Sequence, residues 1–218
     1  MSAMTSPGPV VAITASSAAA AQPYVDLIQR CGGSPWVVLP DHADPADDTL
    51  RHAGAVLVAD GTPPDTRSVS TAEQRIIALA VETDFPLIAV GRGMHTLNAV
   101  MGGGSPVLAE GHAPQNGNGH EIPAYHRIYI APGCKLAVIV GSGGFVRVNS
   151  LHRTGLREAQ KARLLMAGAY SLEDGVIEAL ESPDHDLVLG IQFQPERKLE
   201  VPPHFDRMFH LLVERAAR

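Results

Sequence analysis

The stretch Pro86-Leu-Ile-Ala-Val-Gly-Arg-Gly-Met-His95, continued by Thr-Leu-Asn-Ala-Val-Met-Gly-Gly-Gly104, decides the reading of this chain. The apolar run Leu87 to Val90 has the character of a buried parallel strand, and Met94, Leu97, Asn98 and Met101 then recur at helical spacing. Gly91 and Gly93 stand between the two. A strand that turns this abruptly into a helix holds its junction residue in a strained conformation, above the sheet edge. The following backbone N–H groups then face whatever sits there. Such a junction is where a nucleophile is displayed, yet Gly91 has no side chain to display.

Outward from this turn, strand and helix patterns alternate. Val10 to Thr14, Trp36 to Leu39, Ala55 to Ala59 and the turn strand read as strands. Gln22 to Cys31 and Thr71 to Glu82 read as helices, and the alanines Ala18 to Ala21 lead into the first of them. This alternation predicts an α/β fold with a mostly parallel sheet, helices on both faces, and a ligand crevice beyond the carboxyl ends of the strands. Gly102 to Ile122, rich in Gly, Pro, His and Asn, reads as a loop over that rim. Arg127 to Ile130, Leu136 to Val140, Phe145 to Asn149, Gly175 to Glu181 and Leu187 to Gln192 read as an additional β region, closed by a helix around Phe205 to Arg215. No internal repeat is visible. Residues 1–8 read as a disordered lead-in and residues 9–218 as one domain.

The residues around the turn resemble a known family. PLIAVGRGMHTLNAVMGGG is similar to PVLGICRGMQxLNVxxGG of class I glutamine amidotransferase-like proteins, in the branch of gamma-glutamyl hydrolases and gamma-glutamyl-gamma-aminobutyrate hydrolases. VNSLHRTGL (Val148 to Leu156) resembles VNSxHHQxV, DGVIEALES (Asp174 to Ser182) resembles DGxIEAxE, and Gly190-Ile-Gln-Phe-Gln-Pro-Glu196 resembles GVQWHPE. The resemblance runs from Val10 to the last of these segments and implies a single-domain, flavodoxin-like amidotransferase fold.

It also implies where the chemistry has departed. Gly91 stands at the place of the family's catalytic cysteine, Gln194 at that of its histidine, and Glu196 at that of the orienting acid. His95 stands for a glutamine. The oxyanion loop LLLTGGxDxxP appears as VLVADGTPPD (Val56 to Asp65), with Asp60 and Gly61 at its centre, and a carboxylate there repels developing negative charge. Loss of a triad nucleophile or base costs about a millionfold in turnover. An amide does not take up a proton near neutral pH, so Gln194 is no general base. Ordinary gamma-glutamyl hydrolase or glutaminase activity is therefore expected to be absent.

Each candidate has a plain alternative. Gly91 would be an ordinary strand-to-helix turn without the surrounding match. GRGMHT also suits an anion, with Arg92 at a helix N-terminus, but lacks the third glycine of a dinucleotide fingerprint. His152 matches the first histidine of the substrate-facing SxHH segment and reads equally well as a hydrogen-bonded wall residue. Arg153 replaces the second histidine and changes the charge preference. Asn149 lies beside them, and Glu196 also reads as a cap on the next turn. Asp60, Gly61, Arg92, His95, Asn149, His152 and Arg153 form the candidate ligand-binding set.

Composition narrows the partners. The chain has 218 residues, 45% of them hydrophobic, and a net charge of −6, which argues against nucleic acid or an anionic membrane. No segment has the apolar length to cross a bilayer. Two distant cysteines, Cys31 and Cys134, fit a reducing cytoplasm and small apolar roles better than a disulfide framework. His95, His112, His120, His126 and His152 match no zinc spacing, so neither a metal nor another cofactor is expected. Two functions remain open. One is a pseudoenzyme that binds a small amino-acid-like ligand or supports an active paralogue or pathway enzyme, with a homodimer suggested by the family. The other is a repurposed enzyme acting on an amide or amino-acid-like metabolite through Asp60, His152 and Glu196.

Overall fold

The structure is a computed structural model describing residues 8–39, 45–59, 71–117 and 120–218. The first half alternates as β1 (Val10–Thr14), α1 (Ala18–Arg30), β2 (Ser34–Val38), α2 (Pro45–His52), β3 (Ala55–Val58), α3 (Thr71–Glu82), β4 (Leu87–Val90) and α4 (Arg92–Val100). β3 and β4 are buried at every position, as strands covered on both faces must be. Helix α1 starts where Ser17 Oγ accepts from Ala20 N at 3.2 Å. It therefore begins at Ala18, four residues before the helix read from the sequence, and the alanine run does enter it.

The second half contains the short strands β5 (Val107–Leu108), β6 (Gln115–Gly117) and β7 (His120–Ile122), then β8 (Ala124–Ile130), α5 (Lys135–Val140), β9 (Gly144–Ser150), β10 (Thr154–Gly155), β11 (Met166–Ser171), β12 (Ile177–Glu181), β13 (Val188–Ile191) and α6 (Arg207–Arg215). A single nine-stranded sheet runs β2-β1-β3-β4-β13-β12-β11-β8-β9. Its pairs from β2 to β13 are parallel and those from β13 to β9 antiparallel. The β region expected as an addition is thus a continuation of the parallel sheet, and β13 belongs to both halves.

Two sequence readings change. Leu136 to Val140, expected as a strand, is helix α5. Cys134 caps its start, with Sγ accepting from Ala137 N at 3.3 Å, and Glu181 Oε2 accepts from Lys135 N at 2.7 Å. Gly141, at φ 86°, stops it. A short apolar run has no periodicity to separate helix from buried strand, so its ends decide. The loop over Gly102 to Ile122 is pinned rather than open. β5 pairs with β10 through Leu108↔Thr154 and Val107↔Gly155, and this holds His112 against the strand ends.

Helices α1, α5 and α6 bury one face of the sheet around Tyr24, Phe193, Phe205 and Phe209, and α2, α3 and α4 bury the other around Ile76, Ile77, Met94 and Leu97. Among the described residues no helix is long and apolar enough to cross a membrane. Helix α4 lies so close to β3 that a Cβ on Gly93 would stand 2.8 Å from Val58 Cγ1 and 2.9 Å from the Val58 carbonyl oxygen. The carbonyl cannot rotate away, so Gly93→Ala is expected to cost about 1–3 kcal/mol in urea unfolding. A change below about 0.5 kcal/mol would show that the helix slides freely on the sheet.

Candidate functional site

The carboxyl ends of β4 and β13 lie side by side, with Val90 opposite Ile191. The two strands leave the sheet together and carry Gly91 on one and Gln192 to Gln194 on the other. Gly91 N donates to Ile191 O at 2.7 Å, and its own carbonyl accepts from Met94 N at 3.0 Å. Its backbone has φ 55° and ψ −116°. That conformation is sterically costly for any residue with a Cβ and accessible to glycine. The strained turn read from the sequence is therefore present, and it carries no side chain.

The candidates beside it are positioned by contacts of their own. The Arg92 guanidinium reaches Glu73 at 2.8 and 3.1 Å, and Thr96 Oγ1 approaches the same carboxylate at 3.4 Å. Arg92 thus ties α4 to α3, which weakens the anion-cradle reading. His95 Nε2 lies 2.6 Å from Gln192 Oε1. Burial, outweighing that hydrogen bond, lowers the His95 pKa to about 4. The ring is then neutral at physiological pH, with Nε2–H donating to the amide oxygen.

Asn149 is a clamp. Its Oδ1 accepts from Gln194 N at 2.9 Å, while Nδ2 donates to Gln194 O at 3.0 Å and to Glu200 Oε2 at 2.9 Å. It fixes the loop that carries Gln194 and Glu196 by its backbone. Arg153 is exposed and contributes its carbonyl to Ala109 N at 3.0 Å. Asp60 and Gly61 lie outside the described residues. Cys31 ends α1 and Cys134 caps α5, so neither is at the turn, and burial pushes both thiols up.

A second group of polar residues converges at the same end of the sheet. Gln192 N donates to Glu178 O at 2.9 Å, which places Glu178, near the start of β12, two strands along from β4 and the turn, with β13 between. Glu178 is fully buried. Its Oε1 lies 3.0 Å from His126 Nε2 on β8, 3.6 Å from His152 Nε2 after β9, and 3.8 Å from His112 Nδ1 in the pinned loop. The rings of His112 and His126 are 4.4 Å apart, and those of His112 and His152 are 4.6 Å apart.

None of these approaches to Glu178 has the alignment of a hydrogen bond. Among the described residues, both carboxylate oxygens, both His126 ring nitrogens and His152 Nε2 are buried without a hydrogen-bond partner. Burial alone would raise the Glu178 carboxyl, but the adjacent His126 and His152 outweigh it and bring its pKa down to about 2. At His126 burial opposes the charged form, and the Glu178 carboxylate more than compensates, so that pKa rises. Burial lowers His112, assisted by the nearby His152. The site thus holds a buried carboxylate faced by one histidine that favours its proton and another that resists it.

His112, His152 and Glu178 each offer a donor atom within 4.8 Å of the others, a spacing that can hold a metal ion. His112, His126 and His152 were visible as histidines but obeyed no ligand spacing, because they come from separate segments. Glu178 and Asp174, which lies 3.3 Å from His112 Nε2, were missed as site residues. One local signal was available: Glu178 is a lone carboxylate among Val176, Ile177, Ala179 and Leu180, and a charge in a buried run requires a partner.

Comparison with known proteins agrees with the fold. The sequence pattern of the family described as Peptidase C26 matches residues 59–196. A candidate glutamine amidotransferase of Schizosaccharomyces pombe is 28% identical over 228 aligned positions, covering 95% of this chain and 87% of that protein. Protein NtpR of Enterococcus hirae is 30% identical, with 80% of each chain covered. Among solved structures, a glutamine amidotransferase from Methylobacillus flagellatus superposes with a TM-score of 0.69 at 16% identity, covering 97% of this chain and 95% of that one. The last similarity establishes the class I glutamine amidotransferase fold.

Proposed function

The chain belongs to the Peptidase C26 family, and we propose that within it this protein is a pseudoenzyme. In this reading it uses the amidotransferase crevice to bind a small amino-acid-like ligand, or to support an active relative or pathway enzyme, without thiol-dependent hydrolysis. One observation carries it: the turn has φ 55° and ψ −116° and holds glycine, at the place where the sequence resemblance puts a nucleophile. Gln194 supports it, since the residue on the adjacent strand end carries an amide that cannot act as a base. The gamma-glutamyl hydrolase branch, the homodimer and the cytoplasmic setting belong to the same proposal and rest on the sequence resemblance and the cysteine usage.

A second reading, a repurposed enzyme acting on an amide or amino-acid-like metabolite, draws support from the convergence of His112, His126, His152 and Glu178 beside the crevice. Native mass spectrometry of the untagged protein from its own cells separates the two. The binding role expects a stoichiometric partner protein or a retained metabolite that is recovered unchanged after prolonged incubation. Conversion of that metabolite would establish the enzyme instead. A bare chain with neither partner nor ligand would remove the binding role.

A further inference from the structure

The hydrogen bonds around Glu178 turn one atom each of His112, His152 and Glu178 toward a common space. His152 Nδ1 lies 3.0 Å from the Thr154 carbonyl oxygen, which can only accept, so Nδ1 carries the hydrogen. Nε2 is the nitrogen left to bind, and it faces Glu178 Oε1 at 3.6 Å. On His112, Nε2–H donates to Asp174 Oδ1 at 3.3 Å, and Arg157 Nη2 holds the other Asp174 oxygen at 3.1 Å. That leaves His112 Nδ1 as the lone pair, 3.8 Å from the same Glu178 oxygen. Ser150 Oγ lies 3.2 Å from that nitrogen, and its hydroxyl can turn to it or to the His112 carbonyl at 2.9 Å, so a ligand at Nδ1 leaves the serine a partner. Three atoms able to ligate a metal thus lie within 4.8 Å of one another.

We propose that His112, His152 and Glu178 are the protein ligands of a divalent transition-metal ion, zinc by the chemistry of the donors. Two imidazoles and one carboxylate form a donor set that zinc accepts with nitrogen and oxygen about 2.0–2.2 Å away. Donors at those bond lengths in tetrahedral arrangement stand roughly 3.4 Å apart, and the observed separations from Glu178 Oε1 are 3.6 and 3.8 Å. The two edges from Glu178 need only a small contraction, and the third, between the histidines, closes from a separation within 4.8 Å. Each histidine also has the outer contact typical of a metal ligand: a carboxylate on the far nitrogen of His112 and a backbone carbonyl on that of His152. The ion gives a partner to Glu178 Oε1 and His152 Nε2, which among the described residues are buried without a hydrogen bond. Three protein donors leave a further position for water or an anionic group of a ligand. This site is independent of the pseudoenzyme reading, which rests on Gly91 and Gln194.

Elemental analysis of the untagged protein, prepared without chelator, is expected to find one equivalent of metal per chain. After chelator treatment, calorimetry with zinc alone should show one site, and cobalt should give the visible absorption of a four-coordinate centre. Glu178→Gln and His152→Ala are each expected to weaken zinc binding roughly 100-fold or more, whereas His210→Ala, on the exposed side of α6, should leave it unchanged. Circular dichroism establishes that each variant folds. If Glu178→Gln does not, His112→Asn takes its place. Failure of the chain to retain or take up an equivalent of metal would overturn the proposal. So would uptake that survives the loss of His152 and Glu178.

Discussion

Supplied with glutamine or a gamma-glutamyl amide, the purified chain is expected to release no glutamate above the rate without protein. An active triad enzyme that loses nucleophile or base falls by about a millionfold, and in the proposed reading Gly91 and Gln194 hold both positions without the needed chemistry. The turn itself is intact, so its chemical competence can be tested by adding the missing atom. Gly91→Cys would put a thiol at the N-terminus of α4, where the helix dipole and backbone N–H groups favour the thiolate. Its alkylation by iodoacetamide, followed by peptide mass mapping, is expected to be roughly tenfold faster or more than that of Cys31 or Cys134, whose thiols are pushed up by burial. The same substitution places a Cβ at φ 55° and should cost about 1–3 kcal/mol of stability. Adding Gln194→His then tests turnover. A fast thiol without glutamate release means that the pocket around the turn has changed as well as its reactive groups. An introduced thiol no faster than Cys31 would show that the turn lacks the electrostatics of a nucleophile site.

The second large effect is structural and concerns Asn98 of α4. Its side chain is fully buried. Nδ2 donates to the carbonyls of Gly104 and Gln160 at 3.0 and 2.9 Å, and Oδ1 accepts from Ala162 N at 2.8 Å. One amide thereby joins the helix after the turn to the segment leading into β11. Asn98→Ala removes all of these bonds and strands the buried Ala162 N–H. The expected loss is about 3–5 kcal/mol, or roughly 10 °C in the unfolding midpoint of a chain this size. Differential scanning calorimetry reads it directly. Asn98→Asp keeps an acceptor for Ala162 but removes both donors and buries a charge, so it should be no better than the alanine. A loss below about 1 kcal/mol for either would mean that water replaces the amide.

Legibility followed the range of the signal. β1, α3 and β4 were read with their observed bounds because a continuous apolar run or a helical repeat is contained within each. Helix α2 was not read: PADDTLRH is short and polar and lacks an apolar stripe. β11 was not read because MAGAYS has small residues where β-branched ones would signal a strand. The turn site was legible because Gly91 and Gln194 lie in motifs that are contiguous in sequence. The histidine group was not. His112, His126, His152 and Glu178 come from a loop, a strand, a strand exit and another strand, and the β5–β10 pairing with the Ser150 and Asp174 contacts brings the first to the rest. Spacing rules detect ligands carried on one local element, so a site assembled from four segments leaves little trace beyond its residue types.

β13, the last strand in sequence among the described residues, fills a central place in the sheet between β4 and β12. Until it arrives, β4 presents a bare edge and Gly91 N has no Ile191 carbonyl to bond. During synthesis the whole N-terminal half must therefore wait with an unfinished sheet, exposed to pairing with other chains. Closure depends on contacts between opposite halves of the sequence, which makes folding slow and late. The turn is completed in the same event that closes the sheet.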